Sequence, residues 1–286
     1  MSRLAVPKTY KLFIGGAFPR SESGRTYEVV AADGGFLANA AKASRKDARN
    51  AVVAARKAVA GWSGVTAYNR GQVLYRVAEL LEGRRAQFVE EVRASEGLSG
   101  EDAAAQVDEA IDAWVWYAGW ADKYAQVTGN ANPVAGPYFN ISVPEPTGVV
   151  AAIAPQGGSS LLGLVAVVAP AIVTGNVVVV VADERHPLSA ISLAEVLATS
   201  DVPGGVVNVL TGSPAEIAPW LASHSDVNAL DLTGGETLDW VDLQISAAET
   251  LKRVLAPAGG ELDVRSLDRI SAFVETKTVW HTKSMR

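Results

Sequence analysis

Hydrophobic and polar positions are unevenly shared along this chain. Residues 148–182, GVVAAIAPQGGSSLLGLVAVVAPAIVTGNVVVVVA, hold no Asp, Glu, Lys or Arg. The punctuation inside the stretch decides what it forms. A β-branched run from Val149 to Ile153 stops at Pro155, a Gly/Ser turn follows, an Ala/Leu/Val segment runs to Thr174, and Gly175-Asn176 precedes five valines. This reads as strand, turn, helix, turn, strand. Such short apolar strands are what a parallel sheet covered on both faces requires. A membrane-spanning helix needs about 20 uninterrupted apolar residues, and Pro155, Gly157-Gly158 and Pro170 interrupt this run.

The same rhythm continues downstream. A helix opened by Pro187 stops at Pro203-Gly204-Gly205, strand Val206–Leu210 ends at Thr211-Gly212, and helix 214–223 follows. Strand Ala229–Leu232 ends at Thr233-Gly234-Gly235, and a helix over 236–250 leads to a last core strand, Lys252 to Ala256. Repeated strand–turn–helix units predict a doubly wound α/β sheet, which binds ligands at the carboxyl ends of its strands. Upstream, residues 10–30 suggest short strands around Gly turns, and two helices follow, one capped by Ser44 and one carrying Val73, Leu74, Val77, Leu80 and Leu81 inward. Residues 101–126 read as one long helix with Val107, Ile111, Trp114, Tyr117 and Tyr124 on one stripe and Trp116 and Trp120 on another, a pattern of core packing more than of a ligand platform. Tyr138–Val143 forms a strand that would protrude as an edge, and residues 272–280 alternate as a terminal strand in need of a sheet.

Composition narrows the chemistry. With 25 basic and 31 acidic residues, net −6, the chain offers no basic footprint for nucleic acid or an anionic membrane. It has no cysteine, which removes disulfides, thiolate metal sites and a cysteine nucleophile. His186, His224 and His281 have no second ligand three or four residues away, so no metal site is expected. Ser159-Ser160 lacks a G-x-S-x-G elbow and reads as a helix N-cap, while Asp183-Glu184 reads as strand-end acids capping the next helix. The opening MSRLAVPKTYKLFIGG has no signal-peptide hydrophobic region, which leads to the expectation of a cytoplasmic protein.

The order of motifs resembles the aldehyde dehydrogenase superfamily from about residue 11 to residue 261. The resemblance rests on Leu12-Phe13-Ile14-x-Gly16, Gly61-Trp62-Ser63 with Arg70, Tyr117-Ala118-Gly119-Trp120-Ala121 and Glu145-Pro146-Thr147-Gly148-Val149-Val150. It continues through Ala169-Pro170-Ala171 with Gly175-Asn176, Pro203-x-Gly205-Val206-Val207-Asn208-Val209 with Thr211-Gly212, Leu232-Thr233-Gly234, and Gly259-Gly260. It implies a Rossmann-like coenzyme-binding domain, here 1–136 with 147–262, and an oligomerisation element, here 137–146 with 263–286. It also implies NAD(P)-dependent aldehyde oxidation through a cysteine thiohemiacetal.

Several groups that this chemistry needs are absent. No Cys exists to attack the aldehyde, the oxyanion-stabilising Asn after the proline is replaced within Gln156-Gly157-Gly158-Ser159, and the general-base Glu corresponds to Pro257. Gly259-Gly260 is followed almost at once by Leu267–Ile270 and Lys277–Trp280, which resemble the family's carboxyl terminus, so the catalytic domain is expected to be missing. The resemblance places vestigial cofactor positions at Ala154, Pro155, Gln156, Glu184, Gly234, Gly235 and Leu238. A cofactor-contacting Lys falls on Val181, and Glu236 and Asp239 would each repel a bound phosphate by on the order of 1 kcal/mol. The expectation is a chain with no catalytic residue and no bound cofactor, a pseudoenzyme that assembles with a full-length aldehyde dehydrogenase in a hetero-oligomer and scaffolds or regulates it. The alternative is an NAD(P)-dependent aldehyde oxidoreductase, active alone or completed in trans by a partner.

Overall fold

The computed structural model describes residues 6, 8–257, 259 and 262–283. Its centre is a five-stranded parallel sheet of β6 (Val149–Ile153), β7 (Val177–Val181), β8 (Val207–Leu210), β9 (Ala229–Asp231) and β10 (Arg253–Leu255), in the order β10-β9-β6-β7-β8. Every residue of β6 and β7 is buried. That is why valine and alanine fill them without alternation: a strand covered on both faces has no polar side. The crossovers are α6 (Ser160–Val173), α7 (Leu188–Thr199), α8 (Pro214–Ser223) and α9 (Trp240–Ala248). No helix among the described residues is long and apolar enough to cross a membrane.

A helical layer precedes the sheet: α1 (Arg45–Ser63), α2 (Ala67–Gly83), α3 (Arg85–Glu96), α4 (Gly100–Trp120) and α5 (Tyr124–Thr128). It is pinned to the carboxyl end of α6, where orphaned carbonyls need donors. Trp62 donates its indole N–H to Ile172 at 2.9 Å, and Arg70 donates Nε–H to Val173 at 3.0 Å. The single helix expected over 101–126 is two. The chain turns at residues 121–123, and that bend lets the Tyr124 hydroxyl reach the carbonyl of Thr174 while the stripe Val107, Ile111, Trp114, Tyr117 and Tyr124 stays buried.

Two small sheets flank the core. The first, β1 (Thr9–Tyr10), β2 (Thr26–Val30) and β3 (Phe36–Ala41), has the order β1-β3-β2. The second joins β4 (Asn130–Asn132), β5 (Tyr138–Pro146) and the terminal β11 (Val274–Thr282), entered through α10 (Leu267–Ser271), in the order β11-β5-β4. So β5 is the middle strand, not the edge that its sequence suggested; β11 runs antiparallel along its whole length, from Val274↔Pro146 to Thr282↔Tyr138. Asn176, fully buried, ties this sheet to the core by donating to Phe273 at 2.7 Å and accepting from the N–H of Gly148 at 2.7 Å. Phe273 is itself buried, whereas Trp280 is exposed.

Candidate functional site

The chain winds from β6 outward through β7 to β8, then returns to the other side of β6 as β9 and β10. The topological switch point therefore lies between the carboxyl ends of β6 and β9, where ligands bind in open α/β sheets. There the N–H of Gly234 donates to Ile153 at 2.9 Å, and Gly234 packs so closely on the Ala154 carbonyl that a Cβ would overlap it. This close approach requires glycine. It brings Ala154, Pro155 and Gln156 beside Gly234 and Gly235.

Gln156 is occupied by the backbone. Its amide N–H groups reach the carbonyls of Ala154 at 2.7 Å and Ala182 at 3.4 Å, and its oxygen accepts from the N–H of Glu184 at 3.0 Å. The side chain that stood where an oxyanion donor was sought instead fastens the turn after β6 to the turn after β7, and holds Glu184 in place.

Asp183 does the same with a charge. One oxygen accepts from the N–H groups of Gly157 at 2.7 Å and Gly158 at 3.2 Å, the other from those of Arg185 at 2.8 Å and His186 at 3.1 Å, and the His186 ring lies 3.2 Å away. It thus braces two loops rather than capping α7, whose N-cap is Pro187. Burial alone would raise the Asp183 carboxyl; the bonds from His186 and from backbone N–H groups outweigh it and hold the group below its usual range. A carboxyl depressed on folding contributes stability above its unfolded value of about 3.9, and that contribution disappears as pH falls through the folded value. Denaturant titrations should show Asp183→Asn less stable than the parent at pH 7, with the gap closing below about pH 4. A gap independent of pH would contradict this role.

The start of α6 departs from expectation. Ser159 adopts φ 52°, in the left-handed region, and its side chain makes no cap. The cap comes from α3: Glu96 accepts from the N–H groups of Ser159 at 2.8 Å and Ser160 at 2.9 Å, and from the Ser160 hydroxyl at 2.6 Å. A carboxylate at a helix N-terminus complements the dipole. The Ser160 hydroxyl therefore donates to a carboxylate that is itself held as the cap of α6.

Over the switch point lies the segment that leads to β11. Arg269 donates to Asp231 at 2.6 Å, to the Thr233 hydroxyl at 3.0 Å and to the Ala166 carbonyl at 2.8 Å. Asp231 is fully buried at the end of β9. Tyr117 adds a second tether, its hydroxyl donating to Val264 at 2.8 Å; burial pushes that hydroxyl up to about 12. Below the segment remains a cleft of about 350 Å³, lined by Pro155, Gln156, Thr233, Glu236, Asp268 and Arg269 among others. Its mouth carries more acid than base.

The turn from Gly235 to α9 is where a dinucleotide's phosphates would meet N–H groups. Here Asp239 is the N-cap of α9 and accepts from the N–H of Asp242 at 3.2 Å, Leu238 donates to Gly235, and Glu236 stands exposed beside them. The helix terminus is already supplied with a carboxylate. Val181, at the end of β7, is fully buried and apolar. Leu238 is separate from that problem, lining an apolar groove of about 370 Å³ between α8 and α9 with Ala215, Ala218, Pro219 and Leu243. Thr237, Asp239, Asp242 and Ser246 line the rest of that groove.

Residues 18–264 match the family model described as the aldehyde dehydrogenase family. The chain belongs to that family. An aldehyde dehydrogenase of Aspergillus niger is 34% identical over 253 residues, covering 87% of this chain and 50% of that protein. The mouse cytosolic 10-formyltetrahydrofolate dehydrogenase is 31% identical over 274 residues, 91% of this chain and 29% of that one. Among solved structures, the NAD+ complex of an aldehyde dehydrogenase from Bacillus cereus superposes with a TM-score of 0.79 at 27% identity, covering 86% of this chain and 50% of that one. The chain thus spans about half the length of these full aldehyde dehydrogenases.

Of the positions derived from the aldehyde dehydrogenase resemblance, Ala154, Pro155, Gln156, Gly234 and Gly235 meet at the switch point, Glu184 joins them through Gln156, and Leu238 lies in the α8–α9 groove. Sequence reasoning did not single out Asp231, Arg269 or Glu96. Asp231 carries its own signal, a charge in an otherwise apolar core strand, which demands a buried partner. Nothing local names that partner, 38 residues away.

Proposed function

We propose that this chain is a non-catalytic aldehyde-dehydrogenase-like subunit that assembles with a full-length aldehyde dehydrogenase and scaffolds or regulates it. The observation that carries the reading is the outer edge of β11. Phe273 accepts from Thr147 at 3.1 Å and Lys283 donates to Pro137 at 2.7 Å. With the antiparallel register, those two bonds direct the N–H groups of Glu275, Lys277, Val279 and His281 toward β5. Those of Val274, Thr276, Thr278, Trp280 and Thr282 point outward, where no strand follows among the described residues. A nine-residue β-branched edge of this kind is a template for a strand from another chain. Beside it the sheet exposes Phe139, Ile141 and Val143. The absence of cysteine from the sequence and the proline at position 257 support the non-catalytic half of the reading.

Co-expression with a full-length aldehyde dehydrogenase from the same cells, followed by gel filtration, should yield a stoichiometric complex. A monodisperse assembly of the chain alone that ignores every such partner would overturn the proposal. The second reading, an NAD(P)-dependent aldehyde oxidoreductase active alone or completed in trans, draws on the apolar α8–α9 groove. Aldehyde-dependent NADH formation by the purified chain would favour it; activity confined to the mixture would favour the subunit reading. The carboxylates at the start of α9 make micromolar NAD or NADP binding by the isolated chain unexpected, and calorimetry tests this.

A further inference from the structure

On another flank of α8, away from the groove that holds Leu238, α1 and α8 enclose a cleft of about 310 Å³ lined by Arg45, Arg49, Trp220, His224 and Ser225. The Arg45 guanidinium lies 3.5 Å from the centre of the Trp220 ring, stacked on an indole that is 40% exposed. Arg49 is one helical turn further along the same face. Other cations of α1 and just before it have carboxylate partners. Lys46 is paired with Glu22 at 2.7 Å, Lys42 with Glu216 at 2.6 Å, and Arg56 with Asp226 at 3.7 Å. Among the described residues, neither Arg45 nor Arg49 forms an ion pair. Glu22, which borders Arg45 and Arg49 in the adjoining cleft, is engaged by Lys46, and Arg45 and Arg49 line the first cleft without an ion pair of their own among the described residues.

The rest of the wall is Ala48, Leu221, Ser223, His224 and Ser225, and the Ser223 hydroxyl already donates to Pro219 at 2.9 Å. His224 Nδ1 accepts from the N–H of Asp226 at 3.1 Å, which leaves the proton of the neutral ring on Nε2. Burial, aided by Lys252, Arg49 and Arg56 and opposed by the Asp226 carboxylate, keeps this imidazole below its usual range and therefore neutral at pH 7. Stacking on Trp220 holds the Arg45 plane and leaves its N–H edge free, the arrangement in which arginine binds planar or tetrahedral anions through two parallel bonds.

We infer that this cleft binds a small phosphate monoester, with its phosphoryl oxygens between Arg45 and Arg49 and its organic part against Trp220. A phosphate dianion matches two guanidinium charges and offers acceptor oxygens to their N–H groups. The inference does not depend on the assembly proposed above, because α1 and α8 lie apart from β11 and neither contributes to its sheet.

The test uses the purified full chain with phenyl phosphate as probe, followed by phosphorus NMR line broadening and calorimetry at about 50 mM salt, where surface electrostatics is only partly screened. Saturable binding is expected, tighter for phenyl phosphate than for inorganic phosphate. Arg45→Gln and Arg49→Gln should each weaken it by about tenfold or more, the loss of a charge-assisted contact. Both arginines are exposed, so circular dichroism and Tm should be unchanged. Trp220→Leu should erase the preference for the phenyl ester. No saturable response up to about 10 mM, an equal response to sulfate, or binding indifferent to both arginine variants would overturn the inference.

Discussion

Arg269→Ala should lower the folding free energy by about 3–5 kcal/mol, the cost of stranding a buried charge. Its partner Asp231 has a side chain with no exposure, and Arg269 itself is 11% exposed. The guanidinium serves three acceptors, so its removal leaves the Ala166 carbonyl without that donor as well as Asp231 without its counter-charge. The Thr233 N–H and hydroxyl remain on the other Asp231 oxygen, which moderates the loss without neutralising the charge. Since a domain's whole stability is about 5–15 kcal/mol, the midpoint in urea should fall steeply. The double variant Arg269→Met with Asp231→Leu should recover much of the loss, because it removes both charges together. A single-variant effect below about 1 kcal/mol would show the pair to be solvated and of surface strength. The same variant should release the segment that crosses the switch point, which limited proteolysis after residue 257 would detect.

In the assembly proposed above, Thr276→Pro should abolish docking on a full-length aldehyde dehydrogenase while leaving the isolated chain folded. The N–H of Thr276 points away from β5, so proline there removes no bond of the in-chain ladder and removes one that an added strand would need. The chain already tolerates proline on the same logic. Pro144 and Pro146 lie opposite Thr276 and Val274 at non-hydrogen-bonded positions, and β4 reaches only Asn140 to Ser142, so neither missing N–H breaks a ladder bond. Val279→Pro is the contrasting variant: its N–H faces Ile141, so it should damage the sheet itself. Sedimentation of each variant with the co-expressed partner separates the cases. If Thr276→Pro still assembles as tightly as the parent, the outer edge of β11 is not the docking edge.

Much of this protein is legible from local pattern because parallel, doubly covered strands leave an unambiguous trace. Val149–Ile153 and Val177–Val181 have no polar face to present, and the turns that follow them are marked by Pro155 and by Ala182-Asp183. The same locality explains the misreadings. A bend such as that at residues 121–123 leaves the spacing of buried aromatics on either side nearly helical, so periodicity alone runs through it. Ser159-Ser160 looks like a cap because the alternative, Glu96, arrives from a helix 63 residues earlier. The candidate site divides in the same way. Pro155, Gln156, Gly234 and Gly235 could be named from motif and position. That Gln156 is tied to three backbone groups, and that Asp239 supplies the cap of α9, depends on how neighbouring turns fold over one another.

By itself the sequence determined the α/β class, the order of its core strands along the chain, the family and the lack of a cysteine nucleophile, since each follows from residue type and short-range spacing. Only the tertiary structure decided that Arg269 closes on Asp231 across the switch point, that β5 lies inside its sheet, and that β11 stands at the edge of that sheet among the described residues. Those are matters of partner and register between segments as far apart as Tyr138 and Thr282. Hydrogen bonds and ion pairs are satisfied by whatever lies near in space, and a chain's own periodicity carries no record of which distant segment that is.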